Sequence, residues 1–159
     1  MPEPEGTSRP FLALACATGF GAGFAPIAPG TVGSLLGLTL WLLLPASAAV
    51  QGGTIVMLFI VGSVTGSVAE RHFGRTDPRQ VVIDEVMGML LTLYLVPVGL
   101  KGAILGFLTF RAADVLKPYP ANRLERLGGG IGVMADDAMA AIYANLALRV
   151  MLAIGQSVG

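Results

Sequence analysis

The stretch from Pro10 to Ala69, PFLALACATGFGAGFAPIAPGTVGSLLGLTLWLLLPASAAVQGGTIVMLFIVGSVTGSVA, contains no Asp, Glu, Lys or Arg. A bilayer's hydrocarbon core takes about 20 helical residues, so an uncharged run of this length must fold back on itself. Its opening part, Gly19-Phe20-Gly21-Ala22-Gly23 and then Ala25-Pro26-Ile27-Ala28-Pro29-Gly30-Thr31, opposes a continuous helix. Val32 to Leu44 reads as a helix that starts after Pro-Gly-Thr and stops near Pro45, and Thr54 to Ala69 reads as its return. The polar block from Glu70 to Arg79 leaves the apolar phase. Three more apolar segments follow, from Val81 or Val82 to Val96, from Lys101 to Leu116, and, beyond Gly128-Gly129-Gly130, from Met134 to Ile154. Helices satisfy their own backbone in lipid where an open sheet cannot. The expectation is an all-α polytopic membrane bundle of about four to five apolar helices, a single domain over residues 11–159 behind a polar N-terminal tail at 1–10.

Composition agrees. Hydrophobic residues make up 54% of the 159, charged residues 13%, and mean hydropathy is +0.75, whereas soluble domains carry about a quarter charged residues. Disorder needs the opposite balance. Lys+Arg and Asp+Glu both number 10, so no basic field exists to attract nucleic acid. The acidic start from Met1 to Glu5 and the early prolines depart from a secretory signal. Cys16 is alone, which removes disulfide and zinc readings, and it suits apolar packing. Gly62, Ser63, Gly66 and Ser67 permit close helix approach, within one chain or between copies; the sequence leaves the oligomeric state open.

Charge sets the orientation. If the apolar segments alternate in direction, the loops around residues 20–31, 70–84 and 117–136 share one face. That face carries Arg71, Arg75, Arg79, Lys117, Arg123 and Arg126, against Lys101 in the opposite turns. The positive-inside rule makes it cytoplasmic, so the expected location is a cytoplasmic membrane with the polar site facing the cytoplasm.

Few charges remain, and they cluster at segment ends on that face. Asp84-Glu85 stand between Val81-Val82-Ile83 and Val86, where ionised groups are costly and usually functional. Arg111, Asp114 and Lys117 recur every three residues and so lie on neighbouring parts of one helical face. Asp136-Asp137 follow the glycine-rich turn and exceed what helix capping alone requires. Carboxylates beside an arginine fork and a lysine point to a hard divalent cation held together with a phosphate; magnesium fits, because it binds through few carboxylates plus substrate phosphate. The cation would polarise phosphoryl oxygens and activate water. Other phosphatase chemistries lack their residues. Cys16 has no arginine in the six residues after it, no Asp-x-Asp tripeptide occurs, and His72 is the only histidine and reads as a solvated loop residue. Two rivals stand beside the enzyme reading. A small transporter or channel is expected to place its carboxylates near mid-membrane, and a non-catalytic subunit that binds a lipid head group would share the same spacing.

Four segments carry a resemblance: Gly19 to Ser34, Val82-Ile83-Asp84-Glu85-Val86-Met87-Gly88-Met89, Phe110-Arg111-Ala112-Ala113-Asp114-Val115-Leu116-Lys117-Pro118-Tyr119-Pro120, and Gly129-Gly130-Ile131-Gly132-Val133-Met134-Ala135-Asp136-Asp137. In this order they resemble the phosphatidylglycerophosphatase A family over nearly the whole chain. Ile83, Tyr119 and Ala22 depart from its pattern, and every charged position is kept. The resemblance implies a Mg2+-dependent membrane phosphatase of phospholipid biosynthesis that converts phosphatidylglycerophosphate to phosphatidylglycerol and inorganic phosphate. On that reading Asp84, Glu85, Asp136 and Asp137 form the metal shell, with Asp114 as a further ligand or as the base that orients water. Asp84, Glu85, Asp114 and Asp137 are then the catalytic set. Arg111 and Lys117 clamp the phosphate, Thr31 donates to its oxygens, and Arg123 is a weaker candidate for the lipid's inner phosphodiester.

Overall fold

The computed structural model describes residues 8–158. Those residues form helices joined by turns, with no strand among them. In chain order they are α1 (Ser8–Ala17), α2 (Pro29–Leu43), α3 (Ala48–Phe73), α4 (Ile83–Leu93), α5 (Leu100–Leu116), the single turn α6 (Ala121–Leu124) and α7 (Gly129–Val158). Short 3-10 turns at Ala22–Phe24 and Glu125–Leu127 fill two of the connections. The glycine- and proline-rich segment interrupts the chain between α1 and α2, as expected. The expected polar tail at 1–10 falls mostly outside the described residues, and α1 is already helical from Ser8.

Local chemistry fixes most boundaries. Pro29 sits in the first turn of α2, where its missing N–H costs nothing. Ser47 caps α3 by accepting from the Val50 amide at 3.5 Å, and Gly74 ends the helix at φ 66°, a left-handed cap that glycine takes without strain. Lys117 closes α5 ahead of Pro118.

Two helices, α3 and α7 over Gly129–Gly155, are long and apolar enough to cross a membrane. At 26 residues α3 is about 39 Å long. Large apolar side chains such as Val56, Ile60 and Val64 on α3, Leu108 and Val115 on α5, and Leu146 and Val150 on α7 point outward. Apolar exteriors of this kind mark contact with a membrane or with another protein.

The centre belongs to α4. It is only 11 residues long, and Ile83, Asp84, Val86, Met87, Gly88, Met89, Leu90, Thr92 and Leu93 are all buried. Helices α2, α3, α5 and α7 pack around it. Close approach comes from missing side chains. A Cβ on Gly33 would lie 2.8 Å from Val82 Cβ, and one on Gly37 would lie 2.6 Å from the Val86 carbonyl. The same device joins α3 to α7, where Gly130 rests against the Ser63 backbone and donates its amide to Ser67 Oγ at 2.8 Å. The small residues of α3 are thus used for packing within the chain.

The sequence suggests that the third apolar segment runs to Val96, but α4 stops at Leu93. Leu95 leaves the helical conformation with a left-handed φ of 56°, and α7 meets the freed end. Asn145 Nδ2 donates to the carbonyls of Leu91 (3.3 Å), Thr92 (2.9 Å) and Tyr94 (2.9 Å), and Arg149 Nη2 donates to those of Tyr94 (3.2 Å) and Leu95 (2.8 Å). These donors help to satisfy helix-end carbonyls in an apolar setting.

Candidate active site

The first turn of α4 places Asp84 and Glu85 beneath the start of α2. Gly30 makes room for them, since a Cβ there would overlap Glu85 Oε1 and lie 3.3 Å from Arg111 Nη1. Across the bundle α7 brings Asp137. Ligand oxygens of Asp84, Glu85 and Asp137 all lie within 4.8 Å of one another. Relative exposure of Asp84 and Asp137 is 4% each, and Asp84 Oδ1, Glu85 Oε2 and Asp137 Oδ2 are shut off from solvent without a hydrogen-bond partner. Carboxylates so placed repel one another at short range in a poorly screened site. A hard cation, which takes oxygen ligands, answers both the repulsion and the unmet acceptors.

The cations expected from the sequence stand beside this trio, each already engaged. Arg111 Nη1 pairs with Asp114 Oδ2 at 2.6 Å, one helical turn away, and reaches Ser34 Oγ at 3.4 Å. Lys117 Nζ pairs with Asp136 Oδ2 at 2.6 Å. Asp114 and Asp136 therefore sit outside the trio and hold the two basic groups in place. The field of Asp114 still acts on Glu85 and Asp137, so all five carboxylates belong to one electrostatic neighbourhood.

Other expected residues fall differently. Thr31 lies at the start of α2, but its amide is spent on the Ala28 carbonyl at 3.0 Å; its hydroxyl is what remains for a ligand. Arg123 stacks over the Tyr119 ring, 5.0 Å from the centroid, and no contact with the carboxylates is recorded for it among the described residues. His72 is exposed and packs edge-on against Phe73; it is solvated as expected, but it belongs to the last turn of α3 rather than to a loop. Cys16 is half-buried on α1.

Three groups were not singled out by sequence reasoning. Ser34 is fully buried, donates to the Gly30 carbonyl at 3.0 Å and supports Arg111. Its signal was its place in a glycine-rich helix start, three residues beyond Thr31. Gln80 lies just before the acidic pair with a buried Oε1 that has no hydrogen-bond partner, and nothing in the sequence marks it. Arg149 adds a second basic residue, beside Lys101, to the end of the bundle opposite the carboxylates.

Comparison with known proteins gives one family. Residues 15–152 match Phosphatidylglycerophosphatase A. A Bacteroides thetaiotaomicron protein named "Putative phosphatidylinositol-3-phosphatase" is 36% identical over 149 residues, covering 88% of this chain and 93% of its own. Proteins named Phosphatidylglycerophosphatase A from Escherichia coli and Haemophilus influenzae are each 36% identical, over 138 and 132 residues. These alignments cover 85% and 80% of this chain and 79% and 81% of theirs. No solved structure matches the chain.

Proposed function

Because the chain belongs to the phosphatidylglycerophosphatase A family, we propose that it hydrolyses the terminal phosphomonoester of phosphatidylglycerophosphate, releasing phosphatidylglycerol and inorganic phosphate. The observation that carries this reading is the buried trio Asp84, Glu85 and Asp137, with oxygens close together and unpartnered, beside Arg111 and Lys117. A phosphate ester is what a cation-binding carboxylate trio and two basic groups accommodate together. All three named relatives point to phosphomonoesters on phospholipid head groups, so the names support the substrate class more broadly than the particular head group.

Asp84, Glu85 and Asp137 would hold Mg2+. When bound, Mg2+ supplies Lewis-acid polarisation of the phosphoryl group and a more acidic water. Arg111 offers its guanidinium edge to the phosphate while Asp114 and Ser34 fix its orientation. Lys117 contributes a point charge and is kept in reach by Asp136. Asp114, adjacent to both the trio and Arg111, is the residue placed to accept a proton from attacking water. The Thr31 hydroxyl is a further donor to a phosphate oxygen. Burial of the trio excludes bulk water, which strengthens each of these interactions.

The outward apolar side chains of α2, α3, α5 and α7 support a multi-pass bundle with its active end at the membrane surface. Basic residues at that end, from Arg71 to Arg79 and from Lys117 to Arg126, outnumber Lys101 and Arg149 at the other, which supports a cytoplasmic site. The substrate's acyl chains stay in lipid while its head group meets the carboxylates.

The test is phosphate release by the purified protein in detergent, with phosphatidylglycerophosphate and phosphatidylinositol 3-phosphate as parallel substrates. Release from the first, abolished by chelator and restored by Mg2+, is expected. Absence of release from either lipid by folded, Mg2+-loaded protein would leave a head-group-binding subunit as the better reading.

A further inference from the structure

We propose that the cleft between the Gly23–Pro29 loop and Arg79–Gln80 is a second substrate subsite, which binds the internal phosphodiester of the lipid head group. This rests on the proposed phosphatase reading and concerns selectivity at the same site.

The cleft has a volume of about 240 Å³ and is walled by Gly23, Phe24, Pro26, Pro29, Arg79 and Gln80. It is tied to the carboxylates through Pro29, which immediately precedes Gly30, where the Glu85 carboxylate fills the space a side chain would take. The wall is held tightly, because any Cβ on Gly23 would overlap the Gln80 carbonyl.

One polar group gives the cleft its chemistry. Arg79 is exposed and pairs with no carboxylate among the described residues; its fork suits a phosphate oxygen pair. Phosphatidylglycerophosphate presents a second phosphate for it. Its terminal monoester is followed by a glycerol carrying one free hydroxyl, then by an anionic phosphodiester, then by the diacylglycerol. Phe24 closes the cleft and also lines an apolar groove of about 490 Å³ with Phe11, Leu12, Leu14 and Phe20. Polarity therefore falls in the same order along protein and lipid. Arg79, rather than the Tyr119-stacked Arg123, is the cation that lines this cleft.

The experiment measures equilibrium binding to the full chain in detergent with chelator, where neither probe is turned over. Its probes are dihexanoyl phosphatidylglycerophosphate and dihexanoyl phosphatidic acid, which has the monoester but no diester. A charge-assisted contact predicts that the wild type prefers the first probe by about ten-fold. Arg79→Ala should bring that ratio near one by weakening the first probe alone, and Arg79→Lys should keep part of it. A wild type without preference, an Arg79→Ala variant that retains it, or equal weakening of both probes would overturn the subsite. Phosphate release is read in parallel samples to which Mg2+ is added. Preferential binding without release would remove the catalytic reading and leave the subsite standing.

Discussion

At the scale of single residues, Asp84, Glu85 and Asp137 are held together against their own repulsion. Replacing one has two consequences of different sign. Asp84→Asn or Asp137→Asn should lower phosphate release by on the order of a hundred-fold or more, as loss of a direct ligand exceeds the roughly 10–100-fold typical of outer-shell changes. The same substitutions relieve repulsion, so the melting temperature in chelator should hold or rise. Added Mg2+ should raise the wild-type melting temperature, because a ligand bound only by the folded state stabilises it. That increment should vanish in either variant, and an undiminished Mg2+ shift in both would remove the residues from the metal shell. These carboxylates were legible in the sequence because charge is so scarce there. Which of them group together was not, since Asp136 and Asp137 are neighbours in sequence yet face Lys117 and the trio respectively. Ser34 and Gln80 were illegible for a plainer reason, as polar uncharged residues carry no pattern until something buries them.

Among the elements, α4 departs most from its sequence appearance. Its apolar run continues past Leu93, yet the helix ends there, and Asn145 and Arg149, more than fifty residues away, supply donors to its terminal carbonyls. No local signal carries such a cap. Asn145→Ala strips the Leu91, Thr92 and Tyr94 carbonyls of that donor, with an expected cost of about 1–3 kcal/mol. Thermal unfolding in detergent should show a melting temperature lower by several degrees, with Mg2+-dependent phosphate release per folded molecule largely kept. A loss of activity at unchanged stability would mean that the far end of α4 governs the site directly. The other helices were easier to read. Proline at the start of α2, glycine after α3 and Lys117-Pro118 after α5 are local stop and start signals; the expected segments fall within α3 and α7, which extend beyond them to Ala48–Phe73 and Gly129–Val158. Only α1 and the single turn α6 escaped notice, the first hidden in an unbroken uncharged run and the second too short to have a period.

For the whole molecule, composition alone indicated a helical bundle with an apolar exterior. Its orientation is open to direct measurement. In a Cys16→Ala background, a cysteine at Lys101 should react with a membrane-impermeant maleimide from outside intact cells, and one at Arg75 should react only after permeabilisation. The reverse pattern would place the carboxylates on the outer face. One feature of the bundle bears on how it comes to exist. The helix that closes the core is α7, which packs on α3, α4 and α5 and delivers Asp137, and it is made after each of them. An 11-residue α4 is too short to cross a bilayer alone, so its emergence cannot settle its place. Until Gly129 and the residues beyond it arrive, Asp84 and Glu85 have no third carboxylate beside them and the end of α4 lacks its donors from Asn145 and Arg149. The proposed site is therefore assembled only once α7 has been made, and a nascent chain arrested before α7 should be inert.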